Sequence, residues 1–229
     1  MAQRPIASVP RPVLAALALA LASQLAWHAA QPAPQARAAA LPPAPPAAAL
    51  QLASLGEQVA LSKLLTLFVQ SHDDQAGVRI AWRELDYVRV RGWLARALAL
   101  DPRGQYPLML ASEVYGAVAD PLRQRLMLDF VYQEFARDPN RRWPWLAHAA
   151  LVARHRLHDL PLARQYARAI RLQAPSAPPW ARELEAFVLE DMNEMDAARA
   201  VIGGLISSGQ VSDPHELRFL EQRLEQMRP

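Results

Sequence analysis

No cysteine occurs in the chain, which removes disulfide staples, thiol nucleophiles and thiolate metal sites together. Carboxylates are missing from the first 56 residues, Glu57 being the first, whereas Arg4, Arg11 and Arg37 lie in that stretch. The formal charge of +3 therefore belongs to the N-terminal part: taking those three arginines from the 25 basic residues leaves 22, against 22 acidic ones. A nucleic-acid binder concentrates positive charge on its folded surface, so the neutral remainder argues against that class. Lysine appears once, at Lys63, and every other basic side chain is arginine. Sustained alternation of apolar and polar residues is also lacking, so strands are not expected. Beyond the biased first fifty residues there is enough chain for one domain with an ordinary hydrophobic core.

What is present begins with an uncharged, Ala- and Leu-rich run over residues 13–30, behind Arg4 and Arg11. A spanning helix takes about 20 apolar residues, with about 17 as the lower limit, and this run reads as an uncleaved signal anchor. Two arginines before it and one after it place residues 1–12 in the cytoplasm. The chain is then a single-pass protein of the bacterial cytoplasmic (inner) membrane with its C-terminal domain in the periplasm. The alternative is a cleaved signal peptide and secretion to the periplasm. The small-residue triplets at 20–22 and 36–38 fall very early and well past the apolar run, respectively, and no cysteine is available for lipid attachment.

Residues 31–50 carry Pro32, Pro34, Pro42, Pro43, Pro45 and Pro46. Such a stretch suits neither helix interior nor sheet, and is expected to be a disordered or semi-extended linker. At about 3.1 Å per residue in polyproline form it would hold the domain up to roughly 60 Å from the bilayer.

From residue 51 onward the pattern is helical. Ser54 and Glu57 have capping-box spacing and are expected to open a helix ending near Gln70. Asp86 precedes a stripe of Val90, Trp93, Leu94, Ala97 and Leu98; residues 106–118 form the next expected helix; and Asp120-Pro121 is a cap followed by proline in the first turn. The clearest hairpin is WPWLAHAALVARHRLHDLPLARQYARAIRLQAP, residues 143–175, in which Leu146, Ala149, Ala150 and Ala153 line one helix and Leu162, Tyr166, Ala169 and Ile170 the other. Helices follow over about 179–191 and 195–206, and Asp213-Pro214 opens a terminal helix whose outer faces are polar, as a capping unit requires. Gly203-Gly204 inside the penultimate helix predicts either close approach of the last helix or an early end near Ile202. Pro102, Pro139 and Pro175 recur at a spacing of about 36–37 residues, the period of a stacked helical-hairpin array.

In these residues the chain resembles the tetratricopeptide repeat family. The small residues of the first helix, the order Leu162, Tyr166, Ala169 and the closing proline carry the resemblance in residues 143–174, and Val90, Leu94, Ala97 and Pro102 carry it in an earlier repeat. No repeat has the family's full Trp, Leu-Gly and Tyr set. The resemblance, over roughly residues 55–227, implies an all-α fold with a right-handed α-α superhelix, and a groove that binds a peptide or protein segment. The domain over 51–229 is accordingly expected to be a periplasmic scaffold or adaptor for a protein or peptide partner in the cell envelope, without catalytic residues, metal, small-molecule cofactor or nucleic acid.

The candidate partner-binding residues are Arg141, Arg142, Trp143, Trp145, Arg154 and His155. The first four form the densest polar and aromatic cluster, of the residue types enriched at binding hot spots. The alternative for the tryptophans and arginines is wedging between hairpins and pairing with acids. His148, His155 and His158 share one hairpin, but no further ligand motif accompanies them. The alternative function is an envelope hydrolase or cell-wall modifying enzyme, using His72, Asp73 and Asp74 in the glycine-containing loop 71–77 as base and second carboxylate.

Overall fold

The computed structural model describes residues 9–31, 38–75, 78–209, 211 and 213–227, and divides into two units, Met1–Arg37 and Ala38–Pro229. Arg4, Arg37 and most of the expected n-region fall outside the described residues, as do linker residues 32–37 and Ala76 and Gly77 of the 71–77 loop.

In the first unit, helix α1 (Arg11–Ala30) starts two residues before the uncharged run, with Pro12 in its first turn, where a missing N–H leaves no bond unmade. None of its side chains is buried, and Ser23 turns its hydroxyl onto the Leu19 carbonyl at 2.8 Å. At 1.5 Å per residue its 20 residues are about 30 Å long, the thickness of a bilayer's hydrocarbon layer. By length and composition α1 can cross a membrane; a signal sequence satisfies the same criterion.

The second unit is all-α apart from one minimal ribbon. In chain order it holds α2 (Ala47–Ala53), α3 (Gln58–Gln70), the ribbon β1 (Asp74–Gln75) and β2 (Val78–Arg79), α4 (Tyr87–Leu100), α5 (Tyr106–Met109), α6 (Pro121–Phe135), α7 (Pro139–His155), α8 (Leu160–Gln173), α9 (Pro179–Asp191), α10 (Met195–Ser207) and α11 (Pro214–Gln226). The two-residue antiparallel strands, with Gln75 opposite Val78, are a departure from the strand-free expectation. Asp86, Asp120, Asp159 and Asp213 each accept backbone N–H bonds at the start of α4, α6, α8 and α11, as their sequence positions suggest.

Most helices pack on their successors, α3 on α4, α6 on α7, α7 on α8, α8 on α9 and α9 on α10, while α2 lies on α4 and α7 also touches α5 and α9. One hydrophobic core runs from Leu41 to Val188, with Tyr115, Tyr166 and Phe135 among its largest fully buried side chains. A smaller one, Ala186, Ile202, Leu205, Val211 and Leu220, closes the C-terminal end.

Polar contacts repeat with the period of the prolines. Tyr106 Oη donates to Gln70, Trp145 to Gln105, Tyr166 to Asp129, Arg125 to Asp159 and Ser176 to Asn140, across separations of 36, 40, 37, 34 and 36 residues. Neighbouring hairpins are thus joined directly by side-chain hydrogen bonds, the arrangement in which thin amphipathic pairs share one core.

Three local expectations fail for identifiable reasons. The expected capping box does not form: Ser54 donates its hydroxyl to the Gln51 carbonyl, and Leu55 and Gly56, at φ of 48° and 94°, turn the chain so that α3 starts after Glu57. Residues 38–50 are not a free linker. Residues 38–46 lie extended along α4, where their carbonyls at Leu41, Pro42 and Pro45 accept from Arg89 Nη1 (2.6 Å), Trp93 Nε1 (2.8 Å) and Arg96 Nε (3.0 Å), while Leu41 enters the core and α2 follows directly. Proline cannot donate, but a proline-rich strap still offers a row of acceptors, and α4 supplies donors at helical spacing. The expected helix over 106–118 changes pitch, passing from α5 through a π turn (Leu110–Val114) to a 3-10 turn (Tyr115–Ala117). The carbonyls of Tyr115, Gly116 and Ala117 are then met by Tyr87 Oη, Gln124 Nε2 and Arg156 Nη1 from three neighbouring helices.

Candidate functional site

All six sequence-nominated residues lie on α7, and the structure separates them. Pro139 opens this helix, in whose first turn its missing N–H leaves no bond unmade. Arg142 is not available to a partner. It is 3% exposed, its Nη1 donates to Glu134 Oε2 (2.9 Å) and to the Glu134 carbonyl (2.6 Å), and its Nη2 donates to the Pro102 carbonyl (3.0 Å). It fastens α7 to α6 and to the end of α4. The binding role expected of Arg142 therefore gives way to its alternative, pairing with an acid, because a guanidinium with these partners has no accessible donor face.

Trp143 is half-buried with its ring edge-on to Trp180 at 5.5 Å, and Trp145, also half-buried, donates its indole N–H to Gln105 Oε1 at 2.6 Å. Both wedge between hairpins. Arg141 is exposed and bonded to Asp138 at 2.8 Å, Arg154 pairs with Asp191 of α9, and His155 is exposed at the C-terminal end of α7. Together with Leu151, 37% exposed, Arg141 and His155 form the outward-facing remainder of the cluster.

His148 is half-buried with Nδ1 unpartnered, and burial, opposed by Glu113 and assisted by Arg156, lowers its pKa. His158 sits in the α7–α8 turn at φ 53°, out of helical alignment with His155. Among the described residues no three His, Asp or Glu side chains gather as a metal ion requires.

Asp73 and Asp74 line an open cleft of about 530 Å³ with Arg79, Ile80, Ala81 and Trp82. His72 is turned elsewhere: its Nδ1 meets the Phe68 carbonyl at 2.9 Å and its ring lies edge-on to Phe68 at 4.6 Å. Asp73 Oδ2 accepts the Trp82 indole N–H at 2.5 Å. The loop thus joins two carboxylates in one cleft and leaves the histidine on the end of α3. A second cleft of about 480 Å³ lies between α8 and α10, lined by Arg171, Leu172, Ala200, Val201, Gly204 and Leu205, with Ser208 at its end.

The surface missed by sequence reasoning is at the other end of the unit. Leu52, Leu55, Leu64 and Leu67 are 79%, 91%, 60% and 58% exposed. The available signal was charge: between residues 38 and 70 only Glu57 and Lys63 are ionisable.

Comparison of the chain with known protein families, curated proteins and solved structures returns no match to any of them.

Proposed function

We propose that this chain is a membrane-anchored, noncatalytic adaptor of the bacterial cell envelope: a degenerate tetratricopeptide-like array that holds a protein or peptide partner on the surface its stacked hairpins leave free. The observation that carries this reading is the recurrence of hydrogen bonds between hairpins at separations of 34 to 40 residues. Serial stacking builds an extended surface rather than one enclosed pocket, and surfaces of that kind suit segments of other proteins. The apolar α1 supplies the anchor, and in this reading the array faces the periplasm.

The partner surface includes Arg141, Leu151 and His155 of α7, with Trp143, Trp145 and Arg154 as its rigid support. The test is photo-crosslinking of the full chain in its native membrane from an unnatural residue at Arg141 or His155, with an exposed position on α11, Glu221, as control. A discrete adduct from α7 and none from Glu221 supports the adaptor; equal labelling or none from α7 overturns the assignment of this face. Alkaline phosphatase fused to the C-terminus is expected to be active, and a fusion active only as a cytoplasmic reporter reverses the topology.

A further inference from the structure

The two ends of the helical stack are finished differently. At the C-terminal end α11 buries only Leu220 and turns His215, Arg218, Glu221 and Gln222 to solvent, with Phe219 the one large apolar side chain among them, a largely polar outer face of the kind an end unit needs. At the N-terminal end the polarity of α3 is inverted. Its inner face is Ser62, Leu65, Thr66 and Val69, with Ser62 Oγ donating to the Ala97 carbonyl of α4 at 2.8 Å and Thr66 Oγ1 to the Lys63 carbonyl at 2.7 Å. Its outer face is Ala60, Leu64 and Leu67 with Lys63 as the only charge, while Phe68, 37% exposed, lies against Trp93 of α4 at 4.8 Å. Leu52 and Leu55 extend the apolar surface through α2 and the turn. A monomer in water has no physical reason to hide two hydroxyls and display four leucines.

The position of this end on the chain identifies what covers it. Residues 38–46 are bound to α4 and so do not lengthen the connection to α1. Only residues 32–37 separate Gln31 from Ala38, and at 3.3–3.6 Å per residue that connection spans at most about 25 Å. Taken together, α2 and α3 are apolar enough and long enough to resemble a span, yet they bend by 116° and cannot cross as a rod. Two short apolar arms without an acid, with Glu57 at the elbow and one long cation able to reach headgroups while its stem lies among apolar groups, suit the interfacial layer.

We propose that the outer face of α2 and α3 docks into the lipid interface of the membrane that α1 anchors, fixing the first hairpin on the bilayer surface and pointing the rest of the stack away from it. This rests on the reading of α1 as an uncleaved anchor. The bilayer thus acts as the N-terminal cap of the array.

The absence of cysteine makes the test direct. Full-length chains carrying Leu64→Cys or Leu67→Cys, with Leu122→Cys on α6 and Leu172→Cys on α8 as exposed apolar controls, are labelled with an environment-sensitive fluorophore and reconstituted in phosphatidylethanolamine–phosphatidylglycerol vesicles. At 64 and 67 the expected result is blue-shifted emission, at least twofold quenching by lipids brominated on the acyl chain, and weak quenching by aqueous iodide; at 122 and 172 the reverse. Iodide-quenched labels at 64 and 67 in a chain that resists carbonate extraction overturn the docking while leaving the anchor intact. Labels shielded from both quenchers mean that a second copy or another protein covers the face, which also overturns it. A chain that carbonate extracts overturns the anchor and the docking together.

Discussion

Arg141 and Arg142 are adjacent and identical in type, yet the structure assigns them opposite energetic weights. Arg142→Met removes the guanidinium that holds Glu134, whose side chain is only 4% exposed, and strips donors from the carbonyls of Glu134 and Pro102. Arg137 remains on Glu134, but with 69% of its own side chain in water. Removing one partner of a buried pair costs about 3–5 kcal/mol, because the other charge is left without compensation. For a folded unit of this size that corresponds to a fall in melting temperature of roughly 6–20 °C. Arg141→Met breaks an exposed pair with Asp138, side chains 46% and 32% accessible, worth about 0–1 kcal/mol. The double variant Glu134→Gln, Arg142→Met should recover part of the loss, since no buried carboxylate is then stranded. Urea and thermal unfolding followed by far-UV circular dichroism, with the full chain in mild detergent, measure all three. If Arg142→Met and Arg141→Met unfold within about 0.5 kcal/mol of each other, the junction role of Arg142 is refuted and its side chain becomes a free contact again.

Glu183 of α9 is 3% exposed, and burial, followed by the neighbouring Glu216 carboxylate, pushes its pKa from 4.5 up to about 7, with Arg182 pulling the other way. The folded chain then binds a proton that the unfolded chain has lost, so between pH 4.5 and 7 stability should fall as pH rises, by about 1–3 kcal/mol. Glu183→Gln should flatten that slope in unfolding curves at pH 5 and pH 8, and a wild type with no extra pH dependence over the variant rejects the assignment. Gly203 and Gly204 lie within α10, where a Cβ at either would meet nothing within 4 Å, so each change to alanine should add about 1 kcal/mol. A lower urea midpoint in either variant would mean that something does approach that backbone.

Much of the architecture could be read from short stretches of chain. Asp86, Asp120, Asp159 and Asp213 announce their helices because a cap and a first-turn proline act within four residues, and the stripe Leu162, Tyr166, Ala169, Ile170 is visible because its spacing is that of one helical turn. The 36- to 37-residue recurrence of Pro102, Pro139 and Pro175 likewise matches the separation at which Ser176 reaches Asn140 and Tyr166 reaches Asp129. Among the nominated site residues, neither the extension of α7 back past Arg141 and Arg142 nor their accessibility was legible. Arg141 and Arg142 look alike in a string of letters, and only the neighbouring α6 and the end of α4 make one a buried tie and the other a surface charge.

The same limit explains the remaining differences. Gly203-Gly204 invited a close neighbour that the fold does not place there, and His72 is drawn from Asp73 and Asp74 by the carbonyl of Phe68. By itself the chain determined where α4, α6, α8 and α11 start, what period the hairpins repeat with and that residues 13–30 carry no charged side chain, because those properties depend on neighbours along the backbone. Tertiary structure decided that a proline-rich strap is bound by Arg89, Trp93 and Arg96, that Arg142 is a junction, and that α3 turns its leucines outward. These outcomes depend on which donor, acceptor or apolar surface arrives from 40 or more residues away or fails to arrive, and no local pattern encodes that.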